Sequence, residues 1–459
     1  MFLLAATSIM AGRAVHQGLS GDVYWQWAAG KMMLAQHQIL RRDPFSYTLF
    51  HRPWVADEWG YEVLLAGSIA WLGPGALWIF SAGFGALALA LAWMRLKDHA
   101  DDAIKPGLVL ILMALSLAPF VKDRPQTLSY VLFAATLWLL QQSREIRWPR
   151  FLLIPLLWFW VQCHGSFPLG FALVISDFGL GLIRPQPLRV GRARYDGAVV
   201  LAVAGLSSWI NPYGWRIWTY VIHVSTSPAI AKTISEWQSP NFHNNLLKLA
   251  VWLPLLLLGL VLIFRRDRLE GLSYDLIWTF VLLLATLESV RFLPYFALEW
   301  GVVVMAGSRG WRFVQVRTEI LAAALLGISL FLWFGRPIVS PGRAARSEPV
   351  AETTYLKRLG TRAHVFNYYV WGGYLDWRGI PVFIDGRTDF YLQHNIFKQY
   401  VAVQYLTVDP GTVFRRFRVK YVLWPPSTPL ATYLLADPHW RLIYQTKGSY
   451  LFQHIGRPG

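Results

Sequence analysis

The chain is poor in cysteine, in charge and in acid. It has one cysteine, Cys163, in 459 residues, so no internal disulfide can form. A lone thiol in apolar surroundings is inert rather than reactive. Charged residues make up 15% of the chain, against about a quarter in soluble domains, which argues against an ordinary globular protein. Acidic residues number 26 against 43 Lys and Arg, for a net charge of +17. No basic run interleaves with a soluble fold, so the excess does not read as a nucleic-acid surface. Internal repeats and low-complexity segments are missing too. Met1–Gly12 lacks a basic leader and a small-residue cleavage site. It reads as a first helix rather than a signal peptide, though it is shorter than the roughly 20 residues that cross a bilayer.

What is present is apolar: 55% hydrophobic residues, a mean hydropathy of +0.36 and 24 Trp. Trp favours the membrane interface. Apolar runs recur near 1–14, 75–94, 106–121, 127–141, 151–163, 167–183, 196–210, 246–264, 274–289, 292–307 and 318–336. The expectation is a polytopic α-helical membrane protein with about eleven transmembrane helices. Residues 1–338 form its membrane domain, with an outer loop at 15–74 that contains interfacial helices. Gly60–Leu72 is read as one of those, because counting it as a span would invert every later loop. With the N-terminus inside, Arg95–Lys105, Gln142–Arg150, Arg184–Tyr195, Arg265–Leu272 and Ser308–Arg317 fall on the cytoplasmic side. Each holds at least three Lys or Arg, as the positive-inside rule requires. A linker at 339–348 leads to a small α/β domain at 349–459 on the outer side. Its predicted strands are Ala363–Asn367, Pro381–Asp385, Lys420–Trp424, Arg441–Gln445 and Tyr450–His454, with helices near 391–406 and 428–436.

This topology puts the unusual polar motifs on one face. They are Asp22, Asp43 and Glu58 in the first loop; Lys122–Gln126; Gln162–Phe167; Asn211–Gly214; Ser235–Gln238; and Glu288–Phe292. Anchors at helix ends should fall on both faces, so a one-sided set of Asp, Glu, His and Arg reads as a site. Group transfer from a lipid phosphate fits it. A hydroxyl acceptor needs a carboxylate to take its proton. A departing phosphate needs Arg or Lys, or a metal, to meet developing charge. Each residue also has a plainer reading. Asp22 is a good helix cap, Asp43 before Pro44 starts a turn, and Arg124 and His164 suit helix ends. Asn211–Gly214 reads as a turn. Arg291, with apolar residues on both sides, is the hardest to explain as an anchor. In the C-terminal domain, Trp371-Gly372-Gly373-Tyr374 and Asp385-Gly386-Arg387 combine aromatics with carboxylates, as glycan recognition does. Their plainer reading is core aromatics and a turn. No GxGxxG or Walker spacing surrounds Gly372-Gly373, so it is not a phosphate loop.

These residues, in this order, resemble the GT-C superfamily of polyprenyl-phosphate-dependent glycosyltransferases, which includes protein O-mannosyltransferases, the lipid A aminoarabinose transferase and the oligosaccharyltransferase catalytic subunit. Asp43–Thr48, Asp57-Glu58-Trp59, Arg124-Pro125-Gln126, His164–Phe167, Asn211–Gly214, Glu236-Trp237-Gln238 and Trp371–Tyr374 are similar to a set of bacterial glycosyltransferase-like membrane proteins. The resemblance implies transfer of a sugar from a polyprenyl-phosphate donor to a glycan, lipid or protein acceptor, on the outer face of a bacterial inner membrane. It implies Asp22 as base, and the polar motifs themselves suggest Glu58 and Glu236 as further catalytic carboxylates. Arg124, Arg291 and His164 are the expected donor-phosphate ligands, and Trp371, Tyr374, Asp385 and Arg387 the acceptor-binding residues. The C-terminal domain is expected in the periplasm, with membrane lipids as partners and no nucleic acid. The family's Asp-x-Asp pair is missing, so no metal ligands are assigned and a Mg or Mn ion stays open. The rival readings are a non-catalytic scaffold or glycan-binding protein of the same fold, and a transporter of lipid-linked glycan.

Overall fold

The computed structural model describes residues 1–17, 19–102, 104–183, 190–311, 327, 348–359 and 364–455, with side chains left aside at 13–17 and 190–194. The apolar run 318–336 and the linker 339–348 fall almost wholly outside these residues, as does much of the connection 184–195. Two compact units emerge. One comprises Met1–Gln17 and Gly75–Ile338; the other comprises Gly18–Pro74 and Val339–Gly459. The loop expected to belong to the membrane domain therefore folds with the C-terminal region instead.

The first unit is helical. Its helices include Phe2–Gln17, Phe84–Asp98, Ile104–Leu117, Pro125–Gln142, Leu153–Cys163, Phe167–Ile183, Val190–Ser207, Asn245–Phe264, Ser273–Glu288 and Leu293–Gly307. Each coincides with one of the apolar runs read from the sequence. By length and composition, three stretches of the described residues can cross a membrane: Trp59–Asp98, Asn245–Phe264 and Val290–Gly307. Shorter apolar helices lie at Phe2–Gly12, Ile104–Phe120, Phe167–Ile183 and Tyr195–Ser207. Gly60–Leu72 opens the first of the three long stretches. Its helix, Trp59–Leu72, stops at Gly73, where φ is 72°, a conformation that favours glycine.

The helix Leu293–Gly307 is buried along its whole length, and it carries Glu299. That carboxylate lies 2.6 Å from Arg95 Nη1, and Asp275 lies 2.7 Å from Arg95 Nη2. Gln141 accepts from Arg95 Nε. Arg144 reaches Asp275 at 3.6 Å, and Arg150 pairs with Asp177 at 3.2 Å. The Arg-bearing connections are thus more than plain linkers. They send charge into the helix bundle, where it is paired and hydrogen-bonded, as buried charge must be.

The second unit holds a four-stranded sheet: β1 (Val365–Asn367), β2 (Tyr421–Trp424), β3 (Trp440–Gln445) and β4 (Tyr450–His454). The strand order is β1-β2-β4-β3, with β1 parallel to β2 and the other pairs antiparallel. Pro381–Asp385, expected as a strand, makes only isolated bridges from Val382 to Ser46 and to Val365. Pro381 has no N–H to give a ladder, and the Asn367 side chain takes over that work. Its Oδ1 accepts from Phe383 N at 2.9 Å, and its Nδ2 donates to Ile384 O at 2.8 Å. The helix expected near 391–406 is two, Thr388–Gln393 and Ile396–Gln404, divided at Asn395 with φ of 59°.

One core unites the two parts of this unit. Trp25, Phe45 and Trp54 pack with Phe366, Phe383, Tyr400 and Trp424, and Phe366 stacks on both Tyr400 and Trp424 at 5.5 Å. Such aromatic pairs add about 0.5–1.5 kcal/mol each beyond burial. The helix Gly21–Gln36 lies close on Trp59–Leu72. A Cβ on Gly30 would sit 2.0 Å from the Glu62 carbonyl oxygen, so only glycine permits this approach.

Candidate functional site

Four of the polar motifs converge in the helical unit. Pro125 starts its helix at a favoured position and holds Arg124 extended, with φ of −131°. Arg124 Nη1 then lies 3.3 Å from Glu236 Oε1. Glu236 sits on a single 3-10 turn, Ser235–Trp237. That turn is tied to the break between two helices: Val290 N donates to Gln238 O at 2.9 Å, and Ser289 Oγ to Glu236 O at 3.1 Å. Arg291 follows on this break. Its guanidinium lies 4.6 Å over the Trp237 ring, and its Nη2 lies 3.4 Å from His164 Nε2. Asn211, as expected, makes a turn, accepting from Tyr213 N at 2.7 Å. Ile210 just before it accepts from Gln162 Nε2.

A recess results, lined by Phe120, Lys122, Arg124, Gln126, Tyr130, Glu236 and Arg291. Three cations and one carboxylate give it a positive balance. An anion with several oxygens matches that surplus and the planar donors of two arginines. Arg124 and Arg291, both expected to hold a donor phosphate, line this recess. His164 does not line it. That side chain is buried behind Arg291, with its proton affinity pushed well below the ordinary histidine value by desolvation and then by Arg291. Glu236, expected as a catalytic carboxylate, is paired with Arg124. Lys122 and Gln126 stood inside a motif read from the sequence without being chosen. Tyr130 was missed because it looks like one more aromatic in an apolar run.

The predicted carboxylates Asp22 and Glu58 lie in the second unit. Ser20, not Asp22, caps the helix Gly21–Gln36. Asp22 occupies the first turn and accepts from Trp25 Nε1 at 3.4 Å. Gly386 leaves room for it, since a Cβ there would come within 2.0 Å of Asp22 Oδ1. Glu58 accepts from Gln26 Nε2 at 2.8 Å. Its proton affinity is raised well above the usual range by desolvation, by Asp57 and by Glu62, with Asp22 adding to the effect. Asp22 and Glu58 are thus electrostatic neighbours. Glu62 was overlooked, although an acid inside the apolar stretch Gly60–Leu72 was a visible signal. It is fully buried, and neither carboxylate oxygen has a hydrogen-bond partner.

The four expected acceptor residues are interior. Trp371 and Tyr374 are 6% and 4% exposed, Asp385 is 0% and Arg387 is 3%. Arg387 Nη2 lies 2.6 Å from Asp385 and 2.8 Å from Asp43, and its guanidinium lies 4.7 Å over Trp54. Asp43 also makes the expected turn, accepting from Phe45 N. Side chains enclosed this way join the loop to the sheet region and offer no surface to an acceptor. Among the described residues no three His, Cys, Asp or Glu side chains are grouped to hold a metal ion. The recess offers one carboxylate, Glu236, already paired with Arg124, and so does not fit a Mg or Mn ion.

Neither a family model nor a curated protein sequence matches the chain. Solved structures do. The archaeal oligosaccharyltransferase AglB from Archaeoglobus fulgidus, in complex with an inhibitory peptide and a dolichol-phosphate, superposes with a TM-score of 0.55 at 12% identity. The match covers 92% of this chain and 69% of that one. The apo form of the Archaeoglobus fulgidus oligosaccharyltransferase gives 0.54 at 10% identity with the same coverage. The chain shares its fold with these archaeal oligosaccharyltransferases over most of its length. At this identity the likeness is one of fold, and it agrees with the resemblance read from the sequence motifs.

Proposed function

We propose that this protein is a membrane glycosyltransferase that takes its sugar from a polyprenyl-phosphate donor on the outer face of a bacterial inner membrane. The observation that carries the reading is the recess that Arg124 and Arg291 share. Its positive balance suits a phosphate, and a solved relative in fold holds a dolichol-phosphate. About eleven helices span the membrane in this reading, and the sheet-bearing unit lies outside.

In the reaction, the acceptor hydroxyl oxygen attacks the anomeric carbon of the donor sugar. The bond from that carbon to the phosphate oxygen breaks on the opposite face, so configuration inverts. A carboxylate takes the hydroxyl proton, and that role is assigned to Asp22 from its place in the first polar loop of the sequence. The electron pair leaves with the polyprenyl phosphate, whose added charge is met by Arg124, Arg291 and Lys122. Glu236 holds Arg124 in place. Glu58 is an electrostatic neighbour of Asp22, and its proton affinity is raised well above the usual range by desolvation and by Asp57 and Glu62. Trp371, Tyr374, Asp385 and Arg387 give the acceptor-bearing unit its shape from within.

The test is transfer of labelled sugar from a polyprenyl-phosphate donor by Asp22→Asn protein in membranes. Loss of a positioned base costs about a hundredfold or more. Undiminished transfer at normal expression would remove Asp22 from the mechanism. A separate Arg124→Ala measurement should weaken use of the donor without changing the pH dependence.

A further inference from the structure

His164 stands outside the recess but directly behind one of its arginines. Arg291 Nη2 approaches Nε2 to 3.4 Å. A guanidinium has only donors, so a bond here requires a lone pair on Nε2. On the other side, Nδ1 lies 2.8 Å from Ser129 Oγ and 2.7 Å from Ser166 Oγ. The backbone N–H of Ser166 also lies 3.3 Å from Nδ1. An imidazolium would set N–H against N–H at Nε2, where Arg291 can only donate, so this contact admits only a neutral ring. A neutral ring has one lone pair, and the two N–H donors compete for it. The charged donor makes the stronger bond, and the two close hydroxyls give an Nδ1–H its acceptors. Both hydroxyls are fixed in turn by Trp160 Nε1, 3.2 Å from each. Ser129, Trp160 and His164 are all buried. Among the described residues, Arg291 and Tyr295 are titratable neighbours of the ring and its serines.

We propose that His164 is a positioning residue: a neutral imidazole, held as the Nδ1–H tautomer by Ser129 and Ser166, whose Nε2 aims the Arg291 guanidinium into the recess. Arg291 is thereby clamped from two directions, by Trp237 across its face and by His164 at one nitrogen. The inference rests on the recess being an anion site, as set out above.

The experiment uses the full chain in lipid nanodiscs and dodecyl methyl phosphate as probe. This phosphodiester keeps one negative charge across pH 5.5–8, so any pH dependence belongs to the protein. Affinity should be flat over that range. Arg291→Ala and His164→Leu should each weaken binding about tenfold or more, and the double variant should be no worse than either. His164→Gln, which keeps an acceptor, should bind within about threefold of wild type. Nitrogen-15 NMR of labelled histidine should show one signal, absent from His164→Gln, with Nδ1 protonated and Nε2 bare.

An Nε2–H tautomer overturns the proposal. So does a titration step near neutrality that His164→Gln abolishes. So do additive losses in His164→Leu and Arg291→Ala with no rescue by glutamine, which would place His164 on the ligand. Thermal unfolding of each variant checks that it is folded, and Ser129→Ala gives a milder perturbation if leucine is not tolerated. If the probe does not bind wild type while the NMR signal still shows Nδ1–H, the anion reading has failed and the hydrogen-bond geometry stands.

Discussion

At the scale of single residues, Asp376 carries the clearest consequence. It is 6% exposed and lies beside Asp385. Desolvation, then Asp385, raises its proton affinity well above the usual aspartate value. A carboxyl raised on folding binds a proton that the unfolded chain has already lost. Its contribution to stability is therefore full below about pH 4, the ordinary aspartate value, and is lost as pH climbs through the raised value. Asp376→Asn should flatten that decline in a series of thermal unfolding curves from pH 4 to pH 8. An unchanged slope would show that Asp376 does not hold the proton. The residue scale is also where the sequence was hardest to read. Arg124 and Arg291 could be found because charge beside proline or among apolar residues stands out. Asp385 and Arg387 look like a binding motif, yet they are enclosed, because a pattern of charge and aromatic residues does not reveal whether its partner is a ligand or Asp43. Ser129 and Tyr130 carried no signal, since serine and tyrosine are common in membrane helices.

At the scale of elements, the apolar runs were legible because each helix must satisfy its own backbone and bury or expose apolar surface along its length. The strand at Pro381–Asp385 was not, because alternation alone does not reveal that Asn367 replaces its ladder. The helix Leu293–Gly307 was recognised as an element while Glu299 inside it went unremarked. That acid marks the charged web around Arg95, which draws on the helices Phe84–Asp98, Pro125–Gln142, Ser273–Glu288 and Leu293–Gly307. Removing one member leaves its partners buried and uncompensated, at a cost of about 3–5 kcal/mol. Arg95→Leu should therefore lower the unfolding temperature of the purified protein sharply. The exposed pair Arg268–Asp267 provides the contrast, and Arg268→Leu should change it little.

At the scale of the whole molecule, the orientation across the membrane follows from the proposed topology and is open to direct measurement. Cys163 is fully buried, so cysteines introduced elsewhere report on their own. Lys447 and Glu270 are both exposed. In sealed cells a membrane-impermeant maleimide should label Lys447→Cys, whereas Glu270→Cys should react only after permeabilisation. The reverse pattern would invert the topology, and with it the placement of the proposed chemistry. The division of the chain was the part of the architecture least visible in the sequence. Composition separates apolar helices from a polar domain, but it does not show that Gly18–Pro74 shares a core with residues hundreds of positions away.

That shared core sets an order of events during synthesis. Trp25, Phe45 and Trp54 leave the ribosome early, while Phe366, Phe383 and Trp424 are made only after Gly75–Ile338. At elongation rates of about 5–20 residues per second the interval is on the order of tens of seconds. Throughout it, an aromatic surface has been translated and its counterpart has not. The nascent chain therefore passes through a stage in which a holding factor or the lipid surface must shield half a core, and a message truncated before residue 339 yields a protein that never leaves that stage.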